Sequence, residues 1–328
     1  MSRFKLFVEN LLVYGLGGVI SKLVPLLMLP VITRLMPNTF YFGLNDISVT
    51  IVSFGSAIAV MGMYDAMFRM FFEKDDEDYK KSICSTALSF TICMSILVFL
   101  ILVIFRRFWA ELFFDDARYT NLLMLTAMSV LIGATNSIVS APTRMRNQKK
   151  IYLITNTLSP IISYSISIPM LLQGMYVIAL PLASVISALS IEIIFSILNR
   201  NWFSFKKINF ANLKQLLIIA IPLFPNFLMY WVFNSSDRLM ISQMMGMEYN
   251  GIYAIGGKVG QVSQLIYTAF AGGWQFFAFS TMKDKDQVEM TSSIFEYLAA
   301  ITFGAGILMA ACSKTILQIL FEGDYVQG

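Results

Sequence analysis

Lys22 and Lys258 each stand inside a long apolar run, where a charged side chain is costly. Cations held there imply an anionic ligand, such as a phosphate or pyrophosphate. Snorkelling to a polar interface is the plain alternative, and it is more open to Lys258, which lies nearer the start of its run. Lys258, Gln261, Gln264, Thr268, Gly272 and Gln275 recur every three or four residues, so on a helix they form one polar stripe. A full-length stripe carrying a cation suits a water-filled cavity better than a packed seam. Glu192 lies deep in another apolar run and is a candidate proton-coupling carboxylate, with a structural hydrogen-bonding role equally open. The chain has no histidine, which removes the commonest general base and zinc ligand. No metal site and no cofactor is expected. Cys84, Cys93 and Cys312 form no CxxC pair and are expected to pack as small hydrophobes.

Membrane-crossing helices must position these residues. Of the 328 residues, 57% are hydrophobic and 13% charged, about half the charge of a soluble domain. The mean hydropathy of +0.69 points the same way. The net charge of +4 is too small to mark a nucleic-acid partner. About 20 apolar residues are needed to cross the hydrocarbon core. Nine stretches qualify: approximately 11–33, 47–65, 82–105, 119–141, 151–172, 175–198, 213–233, 251–279 and 293–312. Spans five and six are joined only by Gln173–Gly174, so they form a tight hairpin. The apolar N-terminal run continues past Pro25 and Pro30, and reads as a retained span rather than a cleaved leader. With a cytoplasmic N-terminus, sixteen Lys and Arg fall in inside segments and six in outside ones. The expectation is an all-α, polytopic membrane protein of about nine transmembrane helices, N-terminus inside.

Other spans carry polar residues at helical spacing. Asn136 or Ser137 and Ser140 share a face of span four, and Asn156, Ser159, Ser163 and Ser167 share a face of span five. These faces should point inward, either as hydrogen-bonded seams or as cavity lining. Prolines at 25, 30, 160, 169, 222 and 225 can bend their helices. Asp65 and Arg69 are spaced for an ion pair. EKDDED (73–78) reads as a solvated loop, and RMRNQKK (144–150) as a topology signal that could also meet a phosphate headgroup.

The stretch VPLLMLPVITRLMPNTFYFGLND, the closing MGMYDAMFRMFF and the segment IPLFPNFLMYWVFNSSDRLMISQMMGMEYNGIYAIGGKVGQ (221–261) carry a family resemblance. They resemble the polysaccharide (O-antigen type) flippases of the multidrug/oligosaccharidyl-lipid/polysaccharide exporter superfamily. AFAGGWQFFAFS (269–280) continues the match. The resemblance implies two six-helix bundles, a central cationic cavity and alternating access. Residues 1–200 would form the first bundle, and 201–328 three helices of a second, as though the chain were truncated at its C-terminus. LMPNTFYFG (35–43) echoes in MMGMEYNG (244–251), each bridging the first two spans of its bundle.

What the resemblance implies about function is translocation of an undecaprenyl-diphosphate-linked oligosaccharide across the bacterial cytoplasmic membrane. The partners would be the lipid-linked oligosaccharide, membrane lipid and polysaccharide assembly proteins, with no nucleic acid. Lys22, Asn234, Lys258, Gln261, Gln264 and Gln275 would bind substrate. Arg34, Asp237 and Arg238 would form an outward gate or headgroup contact, and Glu192 would couple ions. A drug or cation exporter of the same superfamily would favour carboxylates over lysines, and a lipid II flippase would differ only in cargo. A membrane-embedded glycan-modifying enzyme is remote: there is no histidine and no large loop.

Overall fold

The computed structural model describes residues 23–146, 148–260 and 287–327. Among them every regular element is a helix: α1 (Leu23–Leu35), α2 (Thr39–Val60), α3 (Met63–Phe71), α4 (Glu77–Ile104), α5 (Arg106–Phe114), α6 (Thr120–Met145), α7 (Lys149–Leu172), α8 (Ala179–Asn199), α9 (Phe210–Met244), α10 (Met247–Gly260) and α11 (Gln287–Leu320). α2, α4, α6, α7, α8, α9 and α11 are long and apolar enough to cross a membrane. α1 is a shorter apolar helix, and the expected first and eighth spans run in part outside the described residues. Large apolar side chains such as Phe210 and Phe233 lie exposed on the outer surface, as a lipid-facing exterior requires. The chain is an all-α, multi-pass membrane protein.

Two boundaries differ from expectation. α2 starts at Thr39, after the extended Asn38, and the expected span begins later because the polar residues of its first two turns, Thr39 and Asp46 among them, lower the local hydropathy. It stops at Val60, where Met61 and Gly62 are both left-handed (φ 46° and 72°), so α3 leaves as a separate helix. A Cβ at Gly62 would also stand 2.8 Å from the carbonyl of Ala220 on α9. The hairpin between α7 and α8 is longer than a two-residue turn, spanning residues 173–178.

The connections sort by end. At one end Tyr41 meets Tyr176 (5.3 Å between ring centroids), Phe40 meets Tyr119, and Gln243 Nε2 donates to the Leu112 carbonyl. Tyr325, after α11, donates to the Asn38 carbonyl at the same end (2.9 Å). At the opposite end Arg144 reaches Tyr64 and Tyr152, and Trp202 packs on Phe71. This is the alternation that the basic residues imply.

The segment between α8 and α9 is docked by hydroxyls of α4. Ser82 Oγ donates to the Lys207 carbonyl (2.8 Å), while Ser85 and Thr86 accept from the Ser204 and Asn209 amides (2.9 and 3.1 Å). Each bond satisfies a backbone group that no helix ladder supplies. In the acidic loop, Asp76 caps α4 by accepting from the Asp78 amide (3.1 Å). Asp75 pairs with Lys80, Glu77 with Lys81, and Asp78 with Lys207. The Asp65–Arg69 pair does not close within 4 Å among the described residues. α6 and α8 are held by Asn199, fully buried, which donates to the Val139 carbonyl (2.8 Å) and Thr143 Oγ1 (2.9 Å).

Candidate functional site

α2 crosses α10 at two glycines. A Cβ at Gly43 would lie 2.0 Å from the Met247 carbonyl oxygen, and a Cβ at Gly251 would lie 2.0 Å from that of Thr39. Gly43 and Gly251 stand 208 residues apart, as do Thr39 and Met247, so the two contacts exchange under one offset. The internal echo of the sequence thus lies on a local two-fold. Only a hydrogen side chain lets the backbones approach this closely.

That approach brings together a charged cluster. Asp46 on α2 is 1% exposed, and its Oδ1 accepts from Arg238 Nη1 on α9 at 2.7 Å; the arginine side chain is 15% exposed. Asn250, fully buried on α10, donates to the Gly43 carbonyl (3.2 Å) and lies beside Asp46. Asp237 accepts from the hydroxyl of Tyr253. Lys258, half-buried, interacts electrostatically with Asp46 and sits 5.9 Å from the ring centroid of the buried Phe42. Asp46 Oδ2 has no hydrogen-bond partner among the described residues. Trp231, two turns before Arg238, donates to Ser53 Oγ (3.0 Å) and the Thr50 carbonyl (3.3 Å), fastening α9 along α2. The formal charges of Asp46, Asp237, Arg238 and Lys258 cancel. A buried ion pair needs this compensation, because desolvating an unpaired charge is prohibitive.

Of the sequence-derived candidates, Asp237, Arg238 and Lys258 converge here. Arg34 does not: its Nε lies 3.2 Å from Glu322 at the exposed end that carries Tyr325. Asn234 is exposed and turns its amide back onto the Tyr230 carbonyl (2.7 Å). Glu192 is half-buried on α8, beside the Thr135 hydroxyl of α6, in a different part of the molecule. Lys22, Gln261, Gln264 and Gln275 lie outside the described residues. Asp46, Asn250 and Tyr253 were not legible as site residues. Their sequence signals are that Asp46 and Asn250 flank the two echoing glycines and that all three lie in segments that carry the family resemblance.

The described part of the cluster is closed and holds no open metal-binding group of His, Cys, Asp and Glu. It can release cations: separation of α2 from α9 and α10 would take Asp46 away from Arg238 and Lys258 and leave both available to an anion.

The family profile described as "Polysaccharide biosynthesis protein" matches residues 31–327. No curated protein matches the sequence. Among solved structures, the chain is similar to an inward-facing multidrug resistance MATE family transporter of the MOP superfamily, with a TM-score of 0.67 at 11% identity. That match covers 92% of this chain and 75% of the other. MATE in complex with MaL6 is similar at TM-score 0.67 and 12% identity, over 98% of this chain and 75% of that one. The MATE multidrug transporter DinF-BH gives 0.62 at 13% identity, with the same two coverages. These likenesses establish a shared fold.

Proposed function

This chain belongs to the polysaccharide biosynthesis protein family, and from that premise we propose that it flips an undecaprenyl-diphosphate-linked oligosaccharide across the bacterial cytoplasmic membrane. The observation that supports this most is the buried Asp46–Arg238 pair with Lys258 beside it, sited where α2 meets α9 and α10. In this reading residues 1–200 form one bundle, residues 201–328 belong to a second, and the cluster closes the seam at the outer end. Asp46 occupies the cations until a diphosphate competes for them. A dianion with several acceptor oxygens is the stronger partner for an arginine and a lysine. Binding and opening of the seam are then one event, since a ligand shifts a conformational equilibrium only by its differential affinity for the two states. Lys22, Gln261, Gln264 and Gln275 would extend the contact to headgroup and sugars, Arg34 would meet the substrate nearer the outer end and Asn234 one turn inward of Arg238, and the lipid tail would stay in the bilayer. In this reading the N-terminus is cytoplasmic, which the excess of basic residues in the inside segments supports.

The test is leaflet-resolved accumulation of the lipid-linked glycan in cells carrying Lys22→Ala, Arg238→Gln or Lys258→Ala. Accumulation on the inner leaflet is expected for each, and unchanged export in all three would overturn the cationic mechanism. A second reading, export of an organic cation, is favoured by Glu192 and its hydroxyl neighbour Thr135. It predicts that Glu192→Gln abolishes drug efflux while glycan export continues. In the primary reading the same substitution uncouples glycan export from its driving ion.

A further inference from the structure

A polar cavity lies in the first bundle, away from the Asp46 cluster. It measures about 300 Å³ and lies between α6, α7 and α8. That volume is at the small end of ligand-binding sites. Arg144 stands at one end of it. Its Nη1 donates to Tyr64 Oη and its Nη2 to Tyr152 Oη, both at 3.1 Å, and the guanidinium lies 4.8 Å from the Tyr152 ring centroid. Phenol oxygens orient a guanidinium without neutralising it. Two of its five N–H groups are used there, and no carboxylate lies within 4 Å of it among the described residues. Arg144 is thus a fixed cation with donors to spare.

The rest of the lining has the opposite character. Ser140 donates to the Ser137 carbonyl (3.3 Å), Thr155 to that of Ile151 (2.9 Å), and Asn156 Nδ2 to that of Tyr152 (2.9 Å). Ser159 is engaged with Ser187 at 3.1 Å. The hydroxyl protons and one of the two Asn156 amide protons are committed, so what these groups mainly offer the cavity is oxygen lone pairs. Asn136 Oδ1, two turns along α6 from Arg144, is buried and has no partner among the described residues. A buried acceptor without a donor is costly, and it selects a ligand that brings one.

We propose that this cavity binds a phosphorylated sugar, with the phosphate on Arg144 and the sugar hydroxyls donating to Asn136, Asn156 and Ser140. The arrangement needs both halves of such a ligand: an anion at one end, and O–H donors about two helical turns, ~12 Å, away. Two sources share this chemistry, the headgroup of a lipid-linked sugar diphosphate and a free cytosolic sugar phosphate. Only the first rests on the transport reading.

The full chain in lipid nanodiscs, titrated with glucose 1-phosphate, glucose and inorganic phosphate by isothermal calorimetry, tests the site. Glucose 1-phosphate is expected to bind about tenfold more tightly than either half, the value of one charge-assisted hydrogen bond. Arg144→Gln should cost about tenfold for glucose 1-phosphate and leave glucose unaffected, and Arg144→Lys should fall between. Asn136→Leu should weaken glucose 1-phosphate and leave inorganic phosphate unaffected. No binding of glucose 1-phosphate to the unaltered chain, or unchanged binding in both Asn136→Leu and a folded Arg144 variant, overturns the proposal. Competition by undecaprenyl-diphosphate-linked glucose in the same nanodiscs assigns the lipid headgroup as source, and its absence assigns the free sugar phosphate. Absent probe binding with glycan export intact overturns this site alone, whereas probe binding without export overturns the transport reading alone.

Discussion

Arg238 reaches across 192 residues of sequence to Asp46, and the energetics of that contact are asymmetric. Removing one partner strands the other charge in a buried site, at about 3–5 kcal/mol. Removing both takes the two charges of the pair away together and leaves the cluster's net charge unchanged. Asp46→Leu and Arg238→Leu are therefore each expected to lower the melting temperature in detergent far more than the double variant does. A thermodynamic cycle over the four proteins measures the coupling. If the two single losses simply add, the pair is not a buried lock. Asn250 holds the same cluster by a neutral hydrogen bond and Tyr253 by one to the Asp237 carboxylate, so Tyr253→Phe should cost less than either single charge removal, about 1.5–2 kcal/mol.

At the level of elements, the seam between α2 and α10 depends on two hydrogen side chains. Alanine at Gly43 or Gly251 places a methyl 2.0 Å from a backbone carbonyl oxygen, which cannot rotate out of the way as a side chain could. The expected loss is about 3 kcal/mol, the upper end of overpacking costs. Gly304 and Gly306 on α11 have nothing within 4 Å of such a methyl, so alanine there should be neutral or stabilising by about 0.5–1 kcal/mol. Melting curves of the four alanine variants separate the two classes, and equal losses at all four positions would remove the close-approach argument. The connection between α8 and α9 is fastened differently, by the short hydroxyls Ser82, Ser85 and Thr86, which reach backbone groups on an irregular segment. Hydrogen bonds of this kind hold a linker in place without burying much apolar surface.

For the molecule as a whole, the sorting of connections into two ends makes a topological prediction. Glu111 on α5 and Asn201 after α8 are exposed and lie at opposite ends. In a background freed of Cys84, Cys93 and Cys312, Glu111→Cys should react with a membrane-impermeant maleimide from outside the cell. Asn201→Cys should react only after permeabilisation. Labelling of both from the same side would refute the alternation, and reversed labelling would invert the proposed orientation.

The sequence by itself determined that the chain is a bundle of membrane-crossing helices. Hydrophobic length and the distribution of Lys and Arg are sums over neighbouring residues, and no tertiary contact is needed to evaluate them. It also carried the family resemblance and, in the paired Gly43 and Gly251, a trace of the internal repeat. Lys258 stood out because a charge in apolar surroundings is conspicuous, and Arg238 because it lies in a segment that carries the family resemblance. Asp46 did not, since it sits where hydropathy fades at the start of α2, beside ordinary turn residues. Only the tertiary structure decided that Asp46 faces Arg238, that Lys258 has an acidic neighbour, and that Arg144 has two phenols in place of a carboxylate. A charge's partner is set by which helix faces pack together. That is a property of the closed seam between α2, α9 and α10, which spacing along one helix does not encode.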